Sequence, residues 1–276
     1  MIDCHAHLWN PAEGFPWIRP GSPHFRAFTV DDLAASGAGL GLTGTVLVEA
    51  SRGDAGETYL LRDLRLRHPG LILGHVGNLH VHADLDPPGL RDLLQGMGPA
   101  RPDGMRLGGP SWEETPERAR ALVPVLAELG LALDLNLLAD ALPAAAAVAG
   151  RHPGLTVVVD HLGNPGNLLD SDLSDWRAQV RSAARLPNVV MKISGLLTQQ
   201  HGVPPERVAE LVGHTVEAFG PDRCLLGSDW PICLPRGSRR QSLELALRGL
   251  SGLTADEVAR VTRTTAERVY GLGGRG

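Results

Sequence analysis

The sequence predicts a single-domain α/β fold, a (β/α)8 TIM barrel of eight parallel strands spanning residues 1–276. Three observations lead there. Eight short apolar runs recur along the chain, most starting roughly 25–35 residues apart, the length of one strand-plus-helix unit. Several runs, such as Leu155–Asp160, are apolar without alternation, as strands buried on both faces of a parallel sheet must be. The chain length suits a barrel of about 250 residues folding as one unit, and no long linker divides it.

The elements follow in order. Met1–His7 reads as the first strand. A long connection from Leu8 to about Val30, rich in proline, glycine and aromatic residues, is placed to lie over the barrel mouth. Thr29 opens a helix, and Asp32 three residues on completes a capping-box pattern. Thr45–Glu49 is the second strand. Glu57–Arg67 is a helix with Leu60, Leu61, Leu64 and Leu66 as its apolar stripe and a Pro-Gly stop. Leu71–His80 and Gly104–Leu107 are strands three and four, and Pro116–Leu129 is a helix. After strand five, Leu131–Leu137, the segment Ala141–Arg151 is so alanine-rich that propensity alone favours helix. Thr156–Asp160, Val189–Ser194 and Cys224–Asp229 complete the eight strands. In the last helix, Thr254–Tyr270, Thr254 is the cap, Asp256 and Glu257 fill the first turn, and Gly271 follows the end.

The net charge of -5 gives no basic surface for nucleic acid or anionic membrane. No apolar run approaches the roughly 20 residues of a membrane span. Cys4, Cys224 and Cys233 are too few and too scattered for a disulfide framework, so reduced thiols in a cytoplasmic protein are expected. The expected partner is a small-molecule substrate; a homo-oligomer is left open. The chain contains a single lysine, Lys192.

In a parallel barrel the catalytic mouth lies at the C-terminal ends of the strands. Three ends carry chemistry. Strand one ends in His5 and His7, which share a face because residues i and i+2 of a strand do. Two imidazoles there can hold a divalent ion or polarise a carbonyl. Strand six ends Asp160-His161, and strand eight ends Ser228-Asp229. The plainer reading of Asp229 is a helix N-cap, and that of the His5/His7 pair is two unrelated surface histidines.

The segments HAHLWNP, VVDHLGNP, NVVMKISGL and LLGSDWPIC, in this order, resemble the amidohydrolase-related (amidohydrolase 2) family. Within it they are most similar to the branch of sugar-lactone hydrolases and 2-pyrone-4,6-dicarboxylate lactonase. FRAFTVDDL, VLVEASRGDAGETYLL, GMRLGG and LALDLNLLADALP match as well. The resemblance implies a hydrolase that opens a lactone ring by water attack. It gives Asp229 the role of general base. His5, His7 and His161 become metal ligands or carbonyl-polarising groups, and a single Zn2+ held by His5, His7, His161 and Asp229 and a metal-free mechanism are both compatible with the branch. Strand four carries Arg106 and no lysine, so a binuclear centre bridged there by a carboxylated lysine is excluded. Strand five lacks the histidine that binuclear and many decarboxylase-type sites use.

Other polar strand ends are expected to contact substrate: Arg106, Glu49, Asn136, His80 and Lys192. For Arg106 and Lys192 the plainer role is a structural ion pair. The competing functions are a metal-dependent decarboxylase of the same wider family and a non-catalytic ligand-binding barrel.

Overall fold

A computed structural model describes residues 1–170 and 172–272. All eight expected strands form and pair in parallel, in chain order. They are β1 (Ile2–Ala6), β2 (Gly44–Val48), β3 (Ile72–Asn78), β4 (Gly104–Gly109), β5 (Ala132–Leu137), β6 (Val157–Val159), β7 (Val189–Ile193) and β8 (Cys224–Leu226). A parallel bridge between Ala6 and Trp230 joins the last strand to the first. Beside it, His7 N donates to the Trp230 carbonyl and Asp229 N to the His5 carbonyl, both at 2.8 Å.

Strands six and eight are shorter than the sequence suggests. The backbone leaves the extended region where the chemistry begins, with φ of +53° at His161, +56° at Leu162 and +60° at Asp229. In β1 the pairing with β2 shifts register between Asp3 and Ala6, so simple alternation breaks down beside His5.

Alternate side chains of each strand face opposite ways, and the two sets bury against different partners. Leu133, Leu135, Val157, Val159, Met191 and Ile193 pack outward against the helices. Ala132, Val158, Val190 and Leu225 fill the barrel interior with Ile2, Cys4, Val46 and Tyr270. Two residues further along β5, β6 and β7 the interior turns ionic, with Asp134, Asp160 and Lys192 all fully buried. A further step leads to Asn136, Ser194 and Asp229 at the mouth.

The helices are α1 (Val30–Gly37), α2 (Gly56–Arg67), α3 (Pro87–Gly96), α4 (Glu117–Arg120), α5 (Val123–Leu129), α6 (Ala141–Arg151), α7 (Ser174–Ala183), α8 (Leu196–Gln199), α9 (Pro205–Phe219), α10 (Arg239–Arg248), α11 (Ala255–Ala259) and α12 (Thr265–Val269). The Thr29/Asp32 capping box forms. Leu66 does not join the stripe of α2; it is 60% exposed while Leu61 is buried. The helix expected over Pro116–Leu129 is two. Pro124 has no N–H to donate, and its ring would meet the carbonyl four residues back; the chain breaks at Ala121-Leu122 as a result. The final helix is capped by Thr254 with Glu257 and passes through a π-turn at Arg260–Thr264 before Gly271 ends it at φ +60°.

Candidate active site

His5, His7, His161 and Asp229 come together at the mouth, with relative exposures of 0%, 4%, 8% and 4%. The His5 ring centroid lies 4.9 Å from that of His7 and 4.5 Å from that of His161. Asp229 Oδ1 is 3.5 Å from His7 Nε2 and 3.8 Å from His5 Nε2. Asp229 caps no helix: the next one, α10, is capped by Ser238.

Neighbours fix each ring. His7 Nδ1 donates to the carbonyls of Val48 and Glu49 at 2.9 and 3.1 Å. That leaves Nε2 to face Asp229. His5 Nδ1 faces Asp160 Oδ1 at 3.5 Å, which favours protonation there and leaves Nε2 free, buried and without a hydrogen-bond partner. His161 Nδ1 lies 2.9 Å from Ser194 Oγ. Two glycines make room for these rings. A Cβ on Gly195, whose φ is +68°, would sit 2.9 Å from His161 Nδ1, and one on Gly227 would sit 2.7 Å from His5 Cβ.

Burial shifts the proton equilibria first. It pushes His5 well below the usual imidazole range, with Asp160 pulling the other way, and it lowers His161 against the pull of Asp229 and Asp160. In Asp229 burial acts upward but is outweighed by His161, His7 and His5, so its carboxyl is held at about 2. The site at neutral pH therefore pairs a carboxylate with neutral His5 and His161.

One ligand atom from each of His5, His161 and Asp229 lies within 4.8 Å of the others. Two imidazoles and one carboxylate are a donor set that would suit a single divalent ion. As the sequence indicates, β4 holds no lysine that could bridge a second ion. Lys192 is sealed between Asp134 Oδ2 at 2.6 Å and Asp160 Oδ1 at 2.8 Å. Metal analysis of the purified protein is expected to return no more than one ion per chain; two would contradict this donor set.

The mouth opens into a cavity of ≈ 660 Å³. Arg106 and Asn136 line it, as expected of substrate contacts. Glu49, His80 and Lys192 do not, and each has a structural reason. Glu49 is turned onto Arg106, Asn78 and the Ser51 amide. His80 lies in a short 3-10 turn after β3, with Nε2 donating to the Gly108 carbonyl at 2.7 Å. Lys192 points into the ionic layer beneath the site, pairing with Asp134 and Asp160 instead of Glu49 or Asp229.

Sequence reasoning missed Trp17, Ser51, Asn164, Asn167, Thr198 and Gln199 in this lining. Trp17 comes from the long connection after β1, its Nε1 donating to the Ala50 carbonyl at 2.6 Å. Asn164 donates to Asn136 Oδ1 at 3.2 Å and accepts from Gln199 Nε2 at 2.7 Å, making a strip of amides. Ser51, His161, Asn164 and Asp229 all line the cavity with positive φ. Left-handed backbone at non-glycine residues costs about 1–3 kcal/mol each and collects at working sites.

A family model for amidohydrolases matches residues 2–272. The chain belongs to the amidohydrolase family. This amidohydrolase is 30% identical over 290 residues to an L-fucono-1,5-lactonase of Burkholderia multivorans, an alignment covering 98% of this chain and 96% of that one. It is 31% identical over 238 residues to an L-fucono-1,5-lactonase of Burkholderia ambifaria, covering 84% and 80%. Crystal structures of an amidohydrolase from Burkholderia multivorans, one with bound HEPES and one with bound zinc, are similar with TM-scores of 0.84 and 0.82. In both comparisons the identity is 28% and 98% of each chain is covered. No helix among the described residues is long and apolar enough to cross a membrane.

Proposed function

We propose that this amidohydrolase opens a lactone ring, of a sugar lactone or a similar compound, by attack of water at the ring carbonyl. The observation that carries the reading is a carboxylate, Asp229, facing His5 and His7 at 3.8 and 3.5 Å in a buried corner of a roomy cavity. The lactonase names of its relatives support the same chemistry.

Asp229 accepts the proton of the attacking water and returns it to the alkoxide that leaves when the ring C–O bond breaks. His161, oriented by Ser194, lines the position where negative charge develops on the carbonyl oxygen, while His5, oriented by Asp160, keeps an Nε2 lone pair that suits it to ligate a cation. His5, His161 and Asp229 are the residues that would hold a Zn2+, beside His7. Such an ion, when bound, supplies Lewis-acid polarisation of the carbonyl and a more acidic water. The amide strip Asn136–Asn164–Gln199 offers donors and acceptors to ring hydroxyls, and the Trp17 indole offers a flat face to the C–H side of a ring.

Proton release from a panel of sugar 1,4- and 1,5-lactones is the direct test. Turnover well above spontaneous hydrolysis on at least one member is expected; none across the panel would sink the reading. With an active lactone in hand, Trp17→Ala is expected to raise KM roughly tenfold and leave kcat nearly unchanged, because it removes binding shared by ground and transition states. A loss confined to kcat would instead place Trp17 among the groups that act in the chemical step.

A further inference from the structure

Arg106 is the one arginine or lysine among the described residues that line the cavity, and its charge is already paired with a carboxylate. Nε donates to Glu49 Oε1 at 2.5 Å, and Nη2 donates to the Glu49 backbone carbonyl at 2.8 Å. Nη1 lies 3.9 Å from Asp160 Oδ2. Glu49 is itself pinned, its Oε2 accepting from Asn78 Nδ2 at 3.0 Å and from Ser51 N at 2.8 Å. The pair is buried at 3% and 6% exposure, so solvent screens it little.

The charge balance of the cavity follows. Asp229 contributes a negative charge to the lining, while the positive charge of Arg106 is spent on Glu49. A carboxylate on an incoming ring would meet Asp229 with no arginine or lysine left to pair it, and desolvating an unpaired charge is strongly unfavourable. Besides the imidazoles of His7 and His161, the remaining polar lining is mostly amide and hydroxyl, including Asn136, Asn164, Asn167, Gln199, Ser51 and Thr198. Those groups match hydroxyls, which both donate and accept.

We propose that Glu49 sets the charge class of the substrate: by neutralising Arg106 it restricts the cavity to neutral, hydroxyl-bearing lactones and turns away lactones that carry a carboxylate. The proposal deepens the lactonase reading and rests on it. Glu49 does not face the reacting bond; it acts through Arg106, which does face the cavity. Specificity here comes from a missing counter-charge, a negative element directed against the wrong ligand.

The experiment compares two rings that differ only at C6, D-glucono-1,4-lactone and D-glucaro-1,4-lactone, in wild type, Glu49→Gln and the double variant Glu49→Gln/Arg106→Gln. Wild type is expected to favour the neutral ring by roughly 100-fold or more in kcat/KM, the scale of a like-charge juxtaposition. Glu49→Gln frees the guanidinium and is expected to narrow that ratio by roughly tenfold or more, chiefly through KM for the glucaro compound. The double variant, lacking both charges, is expected to return to a wild-type-like ratio. A wild-type ratio near one overturns the proposal without any variant, so poor folding of Glu49→Gln does not protect it. A ratio unmoved in folded Glu49→Gln, or a gain that persists in the double variant, overturns it equally. Absence of hydrolysis of every lactone, neutral or charged, by wild type counts against the lactonase reading itself, whereas hydrolysis of the glucaro compound alone overturns the charge proposal and leaves that reading standing.

Discussion

Replacing Asp229 with asparagine is expected to lower kcat by roughly 10²–10⁴-fold, the usual contribution of a positioned base. The amide keeps the shape and much of the hydrogen bonding of the carboxyl but cannot take a proton from water. KM is expected to change little, because holding the lactone does not require that acceptor. The fold should survive, since Asp229 caps no helix and its backbone N–H, which donates to His5, is untouched. The pH dependence has a definite sign. The Asp229 carboxyl is depressed from its ordinary 3.8 to about 2, so the ionised, basic form is present throughout the neutral range. The stability that this depression adds is complete above the ordinary value and is lost as pH falls through the folded one. Wild-type kcat between pH 5 and 8 therefore should not fall through protonation of Asp229. A near-wild-type kcat in the asparagine variant would remove Asp229 from the mechanism while leaving the barrel intact.

The second large effect belongs to stability. Lys192→Met is expected to destabilise the protein by about 3–5 kcal/mol, the range for breaking a buried ion pair on one side, read as a lower midpoint in urea unfolding. Lys192 is fully buried, with Asp134 and Asp160 on its ammonium. Tyr270, from the end of the last helix, donates to Asp134 Oδ2 at 2.9 Å. Burial works against the charge on Lys192, yet the two aspartates outweigh it and raise its pKa. Burial is also the first influence on both acids: it raises Asp134, while Lys192 and His5 overcome it at Asp160 and hold that carboxyl well below its usual range. Without the lysine, two carboxylates face each other in a dry interior. Lys192→Met/Asp134→Asn should recover a substantial part of the loss, since it removes a charge in place of stranding one. A normal urea midpoint accompanied by a raised KM would return Lys192 to the substrate contacts that the sequence suggested.

These two residues also mark what the sequence revealed and what it did not. Strands buried on both faces announce themselves as apolar runs, and a polar residue that interrupts such a run at its C-terminal end, as at His5, His161 and Asp229, is conspicuous. The barrel and its four mouth residues were legible for that reason. Partner choice was not. Lys192 and Asp134 lie on β7 and β5, Glu49 just past β2 and Arg106 on β4, and nothing local reveals which ends meet across the interior. The same holds for Gly195 and Gly227, whose roles arise from rings on other strands. Trp17 was hidden by the path of a 20-odd-residue connection that periodicity cannot trace.

Some signals were present but unused. Ser238 with Gln241 forms a capping box at the start of α10. Val208, Leu211, Val212, Thr215, Val216 and Phe219 make the buried stripe of α9. Asp86 before two prolines starts α3. The split of α4 from α5 was written in Pro124.

The most direct measurement of the central claim is a crystal structure of the Asp229→Asn variant soaked with a lactone that the wild type hydrolyses. The intact ring should lie in the mouth cavity with its carbonyl carbon beside residue 229, its carbonyl oxygen toward His161, and its face against Trp17. A lactone bound with its carbonyl away from residue 229, or seated outside this cavity, would contradict the account.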